Sequence, residues 1–152
     1  MGVGSSQNQG VSAQGTKFEY IKVNDGQNAT GLFEFCAKNT NVEWSLTKYG
    51  TNSNYIATSH LSGLEGGGVT LFRQLMMGGY PIREFMHSHP TNTGYAGPAG
   101  FEKGAQNDGD KKFAEYVEAR MDRYPMLRNT VLKVYDVITN KYIKYNHEGI
   151  IK

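Results

Sequence analysis

Two histidines one residue apart, halted by a proline in His87-Ser88-His89-Pro90, constrain this chain more than any other stretch. The approach to them, Tyr80-Pro81-Ile82, is apolar-rich, and the exit, Thr91-Asn92-Thr93-Gly94, carries turn-forming residues. That pattern predicts a short strand ending in a loop. Alternate side chains of a strand share a face, so His87 and His89 point one way and Ser88 the other. The proline stops the strand just after the second histidine and leaves it at a rim that ligands can reach. A His-x-His pair also fits two packed or surface histidines. Two converging imidazoles are, however, two thirds of a catalytic zinc site, which takes three protein ligands and keeps a fourth position open for water.

Length and composition narrow the context of that strand. The chain has 152 residues, enough for one domain with one core, and a formal net charge of +2. It carries no basic block, which argues against a nucleic-acid partner. The single cysteine, Cys36, excludes an internal disulfide and reads as a buried small hydrophobe within an apolar run. No run is long and apolar enough to span a membrane. Residues 1–16, rich in Gly, Ser, Gln and Asn, lack the regions of a signal peptide and read as a flexible leader or linker remnant. Residues 17–152 are expected to form a single domain, of the kind cut from a longer protein.

Hydrophobic periodicity supplies the order of elements. Phe18 to Val23 alternates as a first strand, and Asn24-Asp25-Gly26 reads as a turn. Thr30 is placed to cap a helix burying Leu32, Phe33, Phe35 and Cys36. Val42 to Tyr49 and Tyr55 to Ser59 read as paired strands. Gly66-Gly67-Gly68 precedes a helix, Val69 to Met77, that stops at Gly78-Gly79. The triple glycine lacks the lysine and hydroxyl of a phosphate loop and reads as a hinge or close approach. A glycine-rich loop, Thr91 to Gln106, is long enough to be functional. Beyond it, Phe113, Tyr116, Val117, Met121 and Tyr124 mark an amphipathic helix closed by Pro125. Val131 to Ile138 and Tyr142 to Tyr145 form a hairpin. The fold class is therefore α+β, a mixed sheet with helices, without the regular alternation of a doubly wound fold.

A third ligand should be a carboxylate or histidine on a neighbouring element. Asp110 stands where the long helix begins, a position that also suits an N-cap, and Asp108 is two residues earlier. Hydrolysis at such a site needs a base near the attacking water. Glu43, on a strand that can lie beside the histidine strand, is the candidate. Glu84 is the rival, but three residues before His87 it faces away from both histidines.

These residues resemble the JAB/MPN (JAMM) zinc metalloprotease family. Its pattern is an upstream Glu, then His-Ser/Thr-His-Pro, seven residues, and Ser-x-x-Asp. His87-Ser88-His89-Pro90 matches in full, Asp110 matches the aspartate, and Val42-Glu43-Trp44 occupies the place of the upstream Glu, with Ser45 where glycine is usual. The resemblance covers about Lys17 to Tyr145. Within the family, Phe33-Glu34-Phe35 through Glu43-Trp44 and Gly109-Asp110-Lys111-Lys112-Phe113-Ala114 are most similar to the JAB-like toxin domains of bacterial polymorphic or RHS-type proteins. Two features depart from the pattern. Sixteen residues, 91–106, replace seven, which leaves Asp108 as an alternative to the favoured Asp110, and Asn107 stands where the family has serine.

The resemblance implies a cytidine-deaminase-like central sheet flanked by helices. It also implies Zn²⁺ held by His87, His89 and Asp110, with Glu43 as general base and Asn107 at the oxyanion, where an amide can donate as a serine hydroxyl does. The implied activity is hydrolysis of peptide or isopeptide bonds by a toxin or effector domain delivered into a target cell. The implied partners are a protein substrate, such as a ubiquitin-like conjugate, and an immunity protein. The alternative is a metal-free MPN-like protein-binding module. A metal-dependent nuclease is a third reading, disfavoured by the missing basic patch.

Overall fold

A computed structural model describes residues 8–60, 66–90, 97–102 and 109–152. Among these, eight strands form one mixed sheet: β1 (Asn8–Val11), β2 (Lys17–Val23), β3 (Ser45–Tyr49), β4 (Ser53–Thr58), β5 (Ile82–His89), β6 (Val131–Asp136), β7 (Lys141–Asn146) and β8 (Gly149–Ile150). Their order across the sheet is β1-β2-β4-β3-β5-β6-β7-β8. The helices are α1 (Gly26–Lys38), α2 (Gly66–Met77) and α3 (Gly109–Glu118). This mixed α/β architecture is the expected fold class.

The histidine strand lies in the interior of the sheet. β5 pairs antiparallel with β3, placing Ser45 opposite His87, and parallel with β6, placing His87 beside Val134 and His89 beside Asp136. The parallel pairing follows from the crossover through α3, since parallel neighbours need a long connection. Period-two alternation then sorts the two faces. Leu46, Ile56, Met86 and Tyr135 pack with Phe33 of α1 on one side. Phe85, Leu132, Val134 and Tyr145 pack with Phe72 of α2 and with Ala114 and Val117 of α3 on the other, which is the face that bears the histidines.

Several local features differ from expectation. Residues 8–16 are not a free leader: β1 pairs with β2 from Asn8–Tyr20 to Val11–Lys17. A polar, glycine-rich segment carries no apolar alternation, but its backbone can still complete a ladder. Helix α1 starts four residues before Thr30. Asp25 is its N-cap, accepting from the N–H groups of Gln27 and Asn28 at 2.9 and 3.0 Å. Thr30 instead donates its hydroxyl to Gly26 O at 2.9 Å. The buried stripe is Ala29, Phe33 and Ala37, which turns Phe35 outward to 64% exposure. Cys36 is only partly buried, and burial pushes its thiol pKa up. Strand β3 starts at Ser45 rather than Val42. Helix α3 ends at Glu118, where Arg120 and Met121 turn to i−3 carbonyls, and Pro125 opens a short 3-10 helix to Asn129.

Candidate metal centre

The two histidines converge as the strand period requires. Their Nε2 atoms are 3.2 Å apart. Asp110 meets both: Oδ1 lies 3.2 Å from His87 Nε2 and Oδ2 lies 3.7 Å from His89 Nε2. Ligands on a tetrahedral zinc with bonds of about 2.0–2.2 Å are separated by about 3.3–3.5 Å. The spacing of these three groups therefore suits a small divalent cation. All three are largely withdrawn from water, with side-chain exposures of 12% for His87 and 9% for both His89 and Asp110.

Asp110 is held in place by its neighbours. Gly109 adopts a left-handed conformation, φ +58°, and a Cβ there would sit 2.8 Å from Ala99 Cβ. Only glycine lets the chain pass this close and turn directly into α3. Ala99 then clips the helix start. Its N–H donates to Asp110 Oδ2 at 2.7 Å, and its carbonyl accepts from Lys111 N at 3.0 Å. The hydroxyl of Tyr145, buried on β7, donates to Oδ1 at 3.5 Å. Burial alone would raise the Asp110 pKa. The charge of His87 and hydrogen bonds from His87, His89 and Ala99 outweigh it and hold the carboxyl well below the usual carboxylate range. Burial and the adjacent Asp110 carboxylate push the Tyr145 phenol well up.

Glu43 joins from the other side. It is 8% exposed, and a carboxylate oxygen lies within 4.8 Å of ligand nitrogens of both His87 and His89. It sits in the irregular stretch just before β3, so its position depends on backbone anchors rather than on a ladder. Thr58 donates its hydroxyl to the Glu43 carbonyl at 2.8 Å. The next residue, Trp44, is stapled to β5: its N–H donates to Ser88 Oγ at 3.0 Å, and Ser88 N–H donates to the Trp44 carbonyl at 2.8 Å. The residue between the two histidines thus fixes the segment that carries Glu43. The hydroxyl in His-Ser-His was visible in the sequence, but nothing there showed which element it would meet.

Glu84 faces away, as the alternation predicts. It pairs with Lys133 on the opposite face. Burial would raise its pKa, but the ammonium group prevails and lowers it. Asn107 and Asp108 lie outside the described residues. His60 pairs with Glu19 at 2.9 Å, and His147 contacts Glu118.

The four groups open on a cleft of about 330 Å³, walled by Val69 of α2, Phe85 of β5 and Phe113 of α3. Imidazole nitrogens and carboxylate oxygens gathered at one point are a donor set that could hold a metal ion. No helix among the described residues is long and apolar enough to cross a membrane. No curated protein matches the chain. The family described as JAB-like toxin 1 matches residues 21–115, a span that takes in Glu43, both histidines and Asp110 and is well over half of the chain. This chain belongs to the JAB-like toxin 1 family.

Proposed function

We propose that this domain is a zinc-dependent hydrolase of peptide or isopeptide bonds, the effector part of a bacterial toxin delivered into a target cell. One observation carries the reading: His87, His89 and Asp110 meet within 3.2–3.7 Å while buried Glu43 stands beside both histidines. Ordinary core packing does not gather two imidazoles and two carboxylates around one point.

In this reading His87, His89 and Asp110 hold Zn²⁺. When bound, the metal supplies a water of lowered pKa and polarises the scissile carbonyl. Glu43 accepts the proton of the attacking water and passes it to the departing amine, and burial keeps that carboxylate from being solvated away. Asn107 donates its side-chain amide to the developing oxyanion. Ala99 N–H and Tyr145 O–H hold the Asp110 carboxylate in place. Val69, Phe85 and Phe113 give the cleft apolar walls beside the reacting groups. The substrate is a protein, such as a ubiquitin-like conjugate, and an immunity protein guards the producing cell.

Elemental analysis tests the metal. About one zinc per chain is expected in the wild type, lost in Asp110→Ala and kept in Asp108→Ala and Glu43→Gln. Glu43→Gln should then cleave no peptide or isopeptide reporter that the wild type cleaves. A wild type that takes up no zinc when zinc is supplied refutes the hydrolase and leaves a metal-free binding domain.

A further inference from the structure

The family match begins at residue 21, yet part of the cleft wall comes from before it. Gln14, at the tip of the β1–β2 hairpin, lines the same cleft as His87, His89, Asp110 and Glu43. The tip is a built turn. Ser12 N–H donates to Thr16 O at 2.8 Å, Gly15 N–H to Ser12 O at 2.9 Å, and Thr16 N–H to Ser12 Oγ at 3.1 Å. Gly15 takes the left-handed conformation, φ +83°, that closes it.

Phe18 seats the hairpin against α2. Its ring is gripped by two glycines: a Cβ on Gly10 would lie 2.4 Å from it, and one on Gly67 would lie 2.6 Å from it. The close approach read from the triple glycine is thus a slot for Phe18 at the first turn of α2. That slot brings the tip onto Gly66, where an added Cβ would lie 3.4 Å from Ser12 Cβ and 3.8 Å from Gln14 Oε1. Among the described residues, the other cleft walls, Gly66, Val69, Phe85, Ala99, Gly109 and Phe113, offer no hydrogen-bonding side chain. Gln14 brings a carboxamide, one donor and one acceptor side by side. That matches the N–H and C=O of one residue in an extended main chain, which point to the same side.

We propose that Gln14 is a specificity-determining residue that pairs with the main-chain N–H and C=O of one substrate residue next to the scissile bond, so that the hairpin selects an extended peptide segment. The proposal rests on the metal-dependent peptidase reading given above. Two probes separate it from that reading: acetohydroxamate, which engages only the metal, and the hydroxamate of N-acetyl-triglycine, which adds a main chain along the cleft. Calorimetry on the zinc-loaded protein should show tighter binding of the longer probe. Gln14→Ala should weaken the longer probe about fivefold to tenfold, the value of about one neutral hydrogen bond, and leave acetohydroxamate unchanged. Equal loss on both probes, or no loss on either, overturns the proposal. If acetohydroxamate binds no form of the protein, the metal reading fails by itself. The Gln14 side-chain amide resonance then decides during titration with N-acetyl-triglycine amide: a saturable shift supports the pairing, and no shift overturns it.

Discussion

Ser88→Ala should loosen Glu43 without touching His87, His89 or Asp110. Ser88 is fully buried on the face of β5 opposite the histidines. Its Oγ is the acceptor for Trp44 N–H at 3.0 Å. Removing it leaves that donor half-buried and unmatched, at a cost of about 1–2 kcal/mol. For a chain of this size each kcal/mol moves Tm by roughly 2–4 °C, so the expected fall is roughly 2–8 °C. The second anchor, Ser88 N–H to Trp44 O, is main chain and survives the substitution. Trp44 therefore stays near β5 but gains freedom at its N–H, one bond from Glu43. A displacement of a catalytic base by about 1 Å can cost on the order of a hundredfold in rate. Zinc content should stay at the wild-type value, because both histidines remain on a continuous strand.

Three measurements judge this: thermal unfolding, zinc stoichiometry, and kcat/KM on whichever reporter the wild type cleaves. A second background sharpens it. Thr58→Val removes the hydroxyl that holds the Glu43 carbonyl at 2.8 Å. If Ser88 and Thr58 both act through the Glu43 segment, their effects on rate should be non-additive, with coupling of about 0.5–3 kcal/mol. Strict additivity would refute the shared-anchor reasoning. Loss of zinc with Ser88→Ala would refute it too, by showing that Ser88 supports the histidines instead.

Other substitutions probe the remaining supports. Gly109→Ala puts a methyl 2.8 Å from Ala99 Cβ at φ +58°, so it should destabilise by about 1–3 kcal/mol and lower zinc affinity, both readable by denaturant titration with and without zinc. Tyr145→Phe removes only a long hydrogen bond, 3.5 Å to Asp110, so zinc affinity should fall by less than about tenfold in a chelator competition. Glu84 is an acid whose folded pKa is depressed, with Lys133 as its partner. Its stabilising contribution is present above the unfolded value of about 4.3 and is lost as pH falls below it. Glu84→Gln should therefore cost about 1 kcal/mol or less at pH 7 and nothing near pH 2, with hydrolysis at neutral pH unchanged; a loss that persists undiminished at pH 2 would show that packing, not charge, is what Glu84 supplies.

How far the site could be read in the sequence depends on the range of the physics involved. The placement of His87 and His89 on one face is a period-two property of a single strand, and Pro90 marks its end. Glu84 could be set aside by the same parity. Gathering Asp110 and Glu43 around them is a property of the sheet. It depends on β3 pairing with β5 at Ser45–His87 and on α3 starting beside Ala99, and neither is written in local spacing. The helix start at Asp110 and a strand able to flank the histidines made the two carboxylates candidates, and the family resemblance narrowed the choice to them. The cap at Asp25 was missed because an Asx residue before glycine reads equally as a turn and as a helix start.

The hairpin shows why the leader was misread, and the reason bears on function. Apolar periodicity detects segments that pay for folding through their own side chains. Strand β1 contributes one apolar residue, Val11, and that side chain is 59% exposed. Its order comes from backbone pairing to β2 and from Gly10 lying flat against Phe18. A segment built in this way adds little core and is free to vary at its tip. The proposed metal ligands and base, His87, His89, Asp110 and Glu43, require fixed residue types in fixed places. Gln14 faces the same cleft with no such demand on it. If the domain is the hydrolase proposed above, its choice of substrate is therefore most economically placed in the hairpin that the hydrophobic pattern does not reveal.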